Sequence, residues 1–87
     1  MVKRYIKKVP VVEAVQWTGY NFDEIQDFVG SKNAHFVREA NPPKVYIATK
    51  YQALRLGLGD YVVQNFYGTF DVYTKDYFEQ SFEEVKE

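Results

Sequence analysis

The first third of the chain predicts one buried strand followed by one short helix. From Val9 to Trp17 most positions are β-branched, small or aromatic, which is typical of a strand buried on much of both faces. Pro10 fits the first position of such a strand, where its missing N–H costs least. Over residues 22–29, apolar side chains recur at helical spacing with acidic and amide side chains opposite them. This pattern predicts a helix that packs on a sheet.

Two residues mark the expected ends of that helix. Asn21, with Glu24 three residues later, matches a capping arrangement in which the Asn21 side chain accepts hydrogen bonds from amides of the first turn. Gly30 is expected to supply the left-handed residue that ends the helix.

Short β-prone runs follow, separated by turn residues. They extend from Ala34 to Arg38, Val45 to Thr49, Tyr51 to Leu56, Tyr61 to Phe66 and Thr69 to Tyr73. The second and third runs should form a hairpin, because very few residues separate them.

Tyr67 and Gly68 predict a second hairpin. A two-residue loop at this position would pair Phe66 with Thr69, Val63 with Val72 and Tyr61 with Thr74. Tyr61, Val63, Phe70 and Val72 would then share one face of the sheet.

The last residues complete the predicted fold. Lys75, Asp76 and Tyr77 predict a turn or a single helical turn, and Phe78 to Val85 a closing edge strand. We therefore predict an α+β domain with a curved, mainly antiparallel sheet of five to six strands, described as a partial barrel, and one short helix packed on it.

Composition narrows the class of protein. At 87 residues the chain is long enough for a single domain, 1–87, with a modest core. The net charge is −1 and there is no cysteine, which excludes disulfides and zinc-thiolate sites. Neither a secretory signal pattern nor a long apolar stretch is present, so we expect a soluble protein in the cytoplasm with no membrane partner.

The charges are polarised between the two ends of the chain. Lys3, Arg4, Lys7 and Lys8 lie near the start, whereas Asp76, Glu79, Glu83, Glu84 and Glu87 lie near the end. One interpretation is that both ends are solvated edges, with neighbouring strands whose opposite charges attract. The other is that they form one basic and one acidic contact surface. The sequence leaves both interpretations open.

The inventory of reactive side chains predicts no enzyme and no cofactor. His35 is the only histidine, so one chain cannot supply a His-His metal pair. Ser31 and Ser81 lack the context of a nucleophile, and Gly57 and Gly59 do not form a nucleotide-binding fingerprint. Carboxylate pairs such as Asp60 with Asp71 or Asp76 with Glu79 are better explained by turn capping.

Aromatic side chains are the main compositional signal, since 18% of the residues are Phe, Trp or Tyr. A nucleic-acid platform could use Tyr46, Lys50, Tyr51, Arg55 and Tyr67, but the near-zero net charge argues against nucleic acid. Exposed tyrosines are typical of protein contacts and of self-association. The predicted protein-binding surface comprises Tyr67, Asp71, Tyr73, Asp76, Glu79 and Glu83. Alternatively, Trp17, Tyr20 and Tyr61 line a cleft for a small nucleotide-type ligand.

Two segments resemble a group of small uncharacterised bacteriophage and prophage proteins. The first runs from Lys7 to Gly19 and includes Pro-Val-Val-Glu-Ala-Val-Gln-Trp-Thr-Gly. The second comprises Gly59-Asp60-Tyr61, Gly68-Thr69-Phe70 and Asp76-Tyr77-Phe78-Glu79. The resemblance implies no biochemical activity.

What the resemblance implies is a context, that of a phage-encoded, intracellular accessory protein outside the virion. Small phage proteins of this kind often occupy a host protein or sequester a nucleotide signal. The expected function is therefore binding of a host protein by a homodimer, with small-ligand binding as the alternative.

Overall fold

The computed structural model describes residues 2–6, 11–39, 41–50, 52–65 and 67–85. The strands are β1 (Lys3–Ile6), β2 (Val11–Gln16), β3 (Ala34–Val37), β4 (Lys44–Ala48), β5 (Ala53–Leu56), β6 (Tyr61–Gln64), β7 (Phe70–Tyr73) and β8 (Glu83–Glu84). The helices are α1 (Phe22–Val29) and α2 (Lys75–Ser81). The predicted strand ends at Val9, Pro10, Tyr51 and Phe66 lie outside the described residues.

The strands form two antiparallel sheets. Sheet 1 has five strands in the order β7-β6-β2-β1-β8, and sheet 2 has three in the order β3-β4-β5. The α+β class, the helix at residues 22–29 and the β4–β5 hairpin are confirmed. The expected single curved sheet or partial barrel is not confirmed, since the strands of the described chain divide between two sheets.

Sheet 1 is covered on both faces. Val15 and Val62 point to one face, where they join a larger hydrophobic cluster with α1 and sheet 2. Ala14 and Val63, their neighbours in sequence, point to the opposite face and pack with Phe78 of α2 in a smaller cluster. Successive side chains of a strand alternate between faces, so the continuous apolar run in β2 is explained by burial on both sides. The prediction for this strand is confirmed.

Trp17 and four partly buried phenylalanines pack against the aliphatic residues of the larger cluster. Trp17 is fully buried, its indole N–H donates to the carbonyl of Pro43 at 3.1 Å, and its ring meets Phe36 edge-on at 5.7 Å. Phe22 of α1 stacks on Phe36 at 5.2 Å, and Phe28 meets Phe70 at 5.6 Å. The apolar stripe of α1 is therefore a core stripe, as its spacing predicts.

The predicted edge strand from Phe78 to Val85 is wrong over most of its length. Residues 75–81 form a second helix, α2, and only Glu83 and Glu84 pair as a strand. Thr74 caps the helix, since its hydroxyl accepts from the Tyr77 amide. Phe78 and Phe82 are four residues apart, the spacing at which a helix presents both rings on one side.

The predicted register of the β6–β7 hairpin is wrong by one residue. Tyr61 pairs with Tyr73, and Gln64 pairs with Phe70, so Phe70 lies on the face opposite to Tyr61. The Asn65 amide donates to the Thr69 carbonyl at 2.9 Å, which encloses a three-residue connection. Gly68 has a φ of +86°, as the last residue of such a loop requires. The longer loop shifts the pairing and moves Phe70 and Val72 into the larger cluster.

The two oppositely charged ends of the chain are neighbours. β1 pairs with β8, and the Val85 amide donates to the carbonyl of Arg4 at 2.9 Å. The ammonium group of Lys3 lies 3.5 Å from a carboxylate oxygen of Glu84, with both side chains nearly half exposed. This arrangement agrees with the interpretation of solvated edges whose charges attract, and the exposed pair adds at most about 1 kcal/mol.

Candidate functional site

Four of the six side chains predicted to bind a protein lie on β7 and α2, whereas Tyr67 lies in the β6–β7 loop and Glu83 in β8. The segment folds this way because β7 ends at Tyr73 and Thr74 turns the chain directly into α2. α2 then crosses over sheet 1 from β7, at one edge, to β8 at the other. The helix lies on the sheet face that carries Ala14, Tyr61 and Val63.

Five rings form a continuous row from the core to the surface, which we call the aromatic row. It consists of Tyr61, Phe78, Phe82, Tyr73 and Tyr77. Tyr61 and Phe78 stack at 4.0 Å, and Phe78 and Phe82 at 4.6 Å. Tyr73 lies 5.7 Å from Phe82 and stacks on Tyr77 at 5.3 Å. Each contact fixes the orientation of the next ring.

The aromatic row has two buried rings at one end and an exposed ring at the other. Phe78 is fully buried and Tyr61 is 6% exposed, whereas Tyr77 is 47% exposed. Tyr73 and Phe82 are intermediate between these limits. The row therefore presents a tyrosine ring at the surface that is positioned by stacking on a second tyrosine from an adjacent strand.

The predicted acidic residues lie on different sides of α2. Residues of a helix are rotated by about 100° each, so Glu79 lies about 200° from Tyr77 around the helix axis. Glu79 accepts a hydrogen bond from the hydroxyl of Tyr61 at 2.9 Å. Asp76 is exposed and immediately precedes Tyr77, and Glu83 is exposed in β8. By the same rotation the Asp76 side chain lies about 100° from Tyr77 and about 60° from Glu79. The structure therefore divides the predicted surface into a Tyr77 side and a Glu79 side, with Asp76 between them.

Asp71 and Tyr67 belong to the β6–β7 hairpin. Asp71 is partly buried and accepts from the side-chain amide of Asn65 at 3.1 Å. Its side chain shares a sheet face with Tyr73, two residues later in β7. Tyr67 is 87% exposed in the connecting loop. Asp71 thus extends the Tyr77 side along β7, while Tyr67 lies beyond the end of the strand.

The three residues predicted to line a ligand cleft do not meet in one cleft. Trp17 is fully buried in the larger cluster, so its ring has no surface for stacking a ligand. Tyr20 is 98% exposed in the turn before α1, and Tyr61 belongs to the smaller cluster. The prediction is wrong because Trp17 and Tyr61 point to opposite faces of sheet 1.

Tyr61 does line a groove, with a different set of neighbours. The groove has a volume of about 630 Å³ and is lined by Lys3, Ala14, Gln16, Thr18, Asn21, Glu24 and Tyr61. We call it the Gln16 groove. Five of its seven lining residues are polar or charged, and they bring one cation and one carboxylate to the same depression.

Asn21 organises one wall of the Gln16 groove. Its side-chain oxygen accepts from both the amide and the hydroxyl of Thr18, at 2.9 and 3.0 Å. Its side-chain amide donates to the carbonyl of Gln16 at 2.8 Å and to Glu24 at 2.9 Å. The predicted capping bond from Asn21 to the first turn of α1 is wrong, because both of its polar atoms are used to hold the strand end against the helix.

The side chains of the aromatic row and of the Gln16 groove offer ring stacking and hydrogen bonding. Among the described residues, no three His, Cys, Asp or Glu side chains lie together as metal ligands would. His35 is exposed on β3 and belongs to sheet 2, whereas the aromatic row lies on sheet 1 and α2. Neither helix in the described part of the chain is long and apolar enough to cross a membrane.

Sequence reasoning does not identify Tyr77 and Phe82 as members of the site. A signal is present for Phe82 alone, because Phe78 and Phe82 are four residues apart, whereas Tyr73 belongs to β7 and its distance from Tyr77 in sequence indicates nothing. The spacing of Phe78 and Phe82 is helical, whereas the prediction for most of this segment is a strand.

No protein-family model, curated protein or solved structure matches this sequence.

Proposed function

We propose that this chain is a non-enzymatic phage or prophage accessory protein that acts in the bacterial cytoplasm by binding a host protein. The contact surface is the Tyr77 side of α2, formed by Tyr73, Tyr77 and Asp71, with the exposed Asp76 at its border. The observation that carries the proposal is the stacked tyrosine pair, in which an exposed ring is held in place by a partly buried one.

A fixed, exposed tyrosine suits protein recognition for two physical reasons. Tyrosine supplies a large apolar area and a polar hydroxyl, and it is enriched in the energetically dominant parts of interfaces. Because Tyr77 is already stacked on Tyr73, binding immobilises a side chain that has little rotational freedom left to lose. Asp71 and Asp76 supply the polar rim that such contacts carry.

Affinity capture from bacterial lysate tests this proposal. The protein is immobilised as the native sequence, as Tyr77→Ala and as Tyr20→Ala, where Tyr20 is an exposed tyrosine outside the surface. At physiological salt we expect the native protein and Tyr20→Ala to retain the same host protein and Tyr77→Ala to lose it. Equal recovery by all three, or nothing above background, would refute the proposed surface.

We further propose that the chain is a homodimer in solution. Tyrosine-rich surfaces favour self-association as well as binding to other proteins. Sedimentation equilibrium from low to high micromolar concentration measures the mass directly. A monomeric mass over the whole range would remove this part of the proposal while leaving host-protein binding to be judged by capture.

Binding of a small nucleotide-type ligand is the alternative function, and the Gln16 groove favours it. Its volume of about 630 Å³ suits a small molecule, and Lys3, Gln16 and Thr18 can hydrogen-bond a polar one. A ligand present at 100 times its dissociation constant adds about 2.7 kcal/mol of stability. A thermal-shift screen of nucleotides should then raise Tm by about 10–20 °C, at roughly 4–8 °C per kcal/mol for a domain of this size. No shift with any nucleotide would exclude this alternative.

A further inference from the structure

We propose that one face of sheet 2 is a second binding surface, which takes a single-stranded nucleic acid. This outer face of sheet 2 carries His35, Lys44, Tyr46 and Arg55 and is turned away from the core. The inference goes beyond the proposed function, because the Tyr77 side belongs to sheet 1 and α2. It rests on strand register, on the partners of these four side chains and on the distribution of charge.

Strand register brings a histidine, a tyrosine and an arginine into one row. Tyr46 in β4 pairs with His35 of β3 on one side and with Arg55 of β5 on the other. Residues directly opposite each other in antiparallel strands have Cβ atoms about 4.5–5.5 Å apart. Val45 and Ile47 alternate with Tyr46 and are fully buried, so the row lies on the face opposite to the core. His35 and Arg55 are exposed there, and Tyr46 is partly exposed.

The four side chains of the outer face of sheet 2 are available to a ligand. Among the residues that the structure describes, none forms a side-chain hydrogen bond, ion pair or ring contact with them. Ala48 and Ala53, the next cross-strand pair on this face, are small and exposed, so they leave the space beside Tyr46 open. Binding to this face would therefore break no polar contact of these side chains.

The chain segment that forms sheet 2 is basic. Residues 31–57 contain five of the eleven Lys and Arg residues and one of the twelve Asp and Glu residues. Their net charge is therefore +4, whereas that of the other residues is −5, and the two give the total of −1. The one acidic residue of the segment, Glu39, lies in the turn after β3 and not in a strand of sheet 2.

This distribution removes the argument from net charge. The near-zero charge of the whole chain is a sum over parts of opposite sign, whereas a ligand responds to the charge of the surface that it contacts. On the outer face of sheet 2 that charge comes from Lys44 and Arg55, and the strands of the sheet contain no carboxylate. The face is therefore complementary to a polyanion.

The combination of a ring with cations favours a single-stranded nucleic acid over other polyanions. Aromatic side chains on a sheet stack unpaired bases, while Lys and Arg contact the phosphates. A duplex keeps its bases stacked on one another, so Tyr46 could reach only its backbone. An acidic peptide offers carboxylates to Lys44 and Arg55 but no series of planar groups for Tyr46 between them.

The structure places two of the five residues that the sequence suggests for such a platform side by side. Tyr46 and Arg55 are cross-strand partners, and Lys50 follows β4 in the connection to β5. Tyr67 lies in the β6–β7 loop of sheet 1, and Tyr51 lies outside the described residues.

Fluorescence anisotropy with a labelled ten-nucleotide oligothymidylate tests the inference. At about 50 mM salt we expect this probe to bind more tightly than a ten-base-pair duplex or a ten-residue polyglutamate peptide. Tyr46→Ala should weaken binding by about fivefold or more, the lower end of the range for one stacked base, and Tyr46→Phe should retain it. In ¹⁵N-resolved NMR spectra the probe should shift the amides of His35, Tyr46 and Arg55.

The dependence on salt tests the cations separately from the ring. In Lys44→Gln and in Arg55→Gln, the slope of log K against log salt concentration should become shallower by about 0.7, the value for one phosphate of a single strand. Lys75→Gln and Tyr20→Ala are matched controls, because both residues are exposed and lie outside sheet 2, and they should change neither affinity nor slope. Emission of the buried Trp17 verifies that each variant is folded.

Three results would overturn the inference. They are the absence of oligothymidylate binding at this salt concentration, equal affinities of the native chain and a folded Tyr46→Ala, and shifts confined to residues outside sheet 2. Equal or tighter binding of the duplex, or of polyglutamate, would also overturn it and assign the face to a different anion. Lysate capture through Tyr77 does not depend on Tyr46, so failure here would leave the proposed function standing, and the reverse also holds.

Discussion

Replacing Phe78 with alanine tests whether α2 is anchored independently of the larger core. Phe78 is fully buried and stacks on Tyr61 at 4.0 Å and on Phe82 at 4.6 Å. Truncating a buried phenylalanine to alanine costs about 3–5 kcal/mol, from lost transfer free energy and from the cavity that remains. A chain of 87 residues has a total stability of about 4–13 kcal/mol, so the loss is a large fraction of it.

The other contacts described for α2 are individually weaker than that loss. The hydrogen bond from Tyr61 to Glu79 contributes about 0.5–1.5 kcal/mol. Phe82 is only partly buried, so it supplies less than the roughly 1.5–3 kcal/mol of a fully buried ring. The larger cluster shares no residue with the smaller one. We therefore expect Phe78→Ala to release α2 while the two sheets and α1 stay folded.

Amide hydrogen exchange and Trp17 fluorescence separate the two events. The Phe82 amide donates to residue 78 within α2, and the Trp17 amide donates to the Asp60 carbonyl beside the larger cluster. In Phe78→Ala the Phe82 amide should exchange at the rate of an unprotected amide. The Trp17 amide should remain protected, and the emission of this buried, sole tryptophan should stay blue-shifted.

A matched control reverses the pattern. Ile47 is fully buried in the larger cluster, so Ile47→Ala should cost about 2–5 kcal/mol of global stability. It should lower the protection of the Trp17 amide and leave the exchange of Phe82 nearly unchanged. The reasoning would be refuted if Phe78→Ala produced red-shifted Trp17 emission and no protected amides, or if the Phe82 amide kept its native protection.

Three further substitutions test individual contacts. Tyr61→Phe removes the hydroxyl that donates to Glu79, and it should lower the free energy of unfolding, measured by urea denaturation, by about 0.5–1.5 kcal/mol. The decrease should disappear when Glu79 is already alanine, and an equal decrease in both backgrounds would contradict the bond. Asn65→Ala removes four side-chain hydrogen bonds of the β6–β7 loop and should lower the free energy of unfolding by about 1–2 kcal/mol in the same assay. No change would show that the loop is held by its backbone hydrogen bonds alone. Gly68→Ala places a side chain at a φ of +86° with no atom within 4 Å of its Cβ, and the strain should cost about 1–2 kcal/mol. Gly19→Ala should cost more, because its φ is +92° and a Leu58 methyl lies 3.0 Å from the added Cβ. A lower thermal midpoint for Gly68→Ala than for Gly19→Ala would be inconsistent with these turn conformations.

Local patterns predict the elements whose neighbours in sequence decide their structure. The helix at residues 22–29 has the predicted bounds, because an eight-residue amphipathic stripe between Asn21 and Gly30 has one stable arrangement. The buried strand β2 and the β4–β5 hairpin follow for the same reason, since their patterns specify burial and a short connection. In contrast, β1 is not predicted, because Lys3 and Arg4 give it no apolar alternation and it is held by pairing with β2 and β8.

The composition of the candidate site is predictable from the sequence, whereas its arrangement is not. The sequence indicates that tyrosines and carboxylates near the end of the chain form a contact surface, and most of them do lie around α2. It does not indicate that Glu79 and Tyr77 take different sides of a helix, because the pattern there favours a strand. It also suggests one cleft for Trp17 and Tyr61, although sheet 1 lies between them.

What the sequence determined by itself is the set of short elements and the presence of more tyrosine than a small core requires. What only the tertiary structure decided is which of these tyrosines reach the surface together. Tyr61 and Tyr73 are cross-strand partners, and Tyr77 joins them only because α2 folds back over sheet 1. A one-residue change in hairpin register reverses the face of every side chain in β7, and that register depends on bonds across the Asn65 loop that no local pattern specifies.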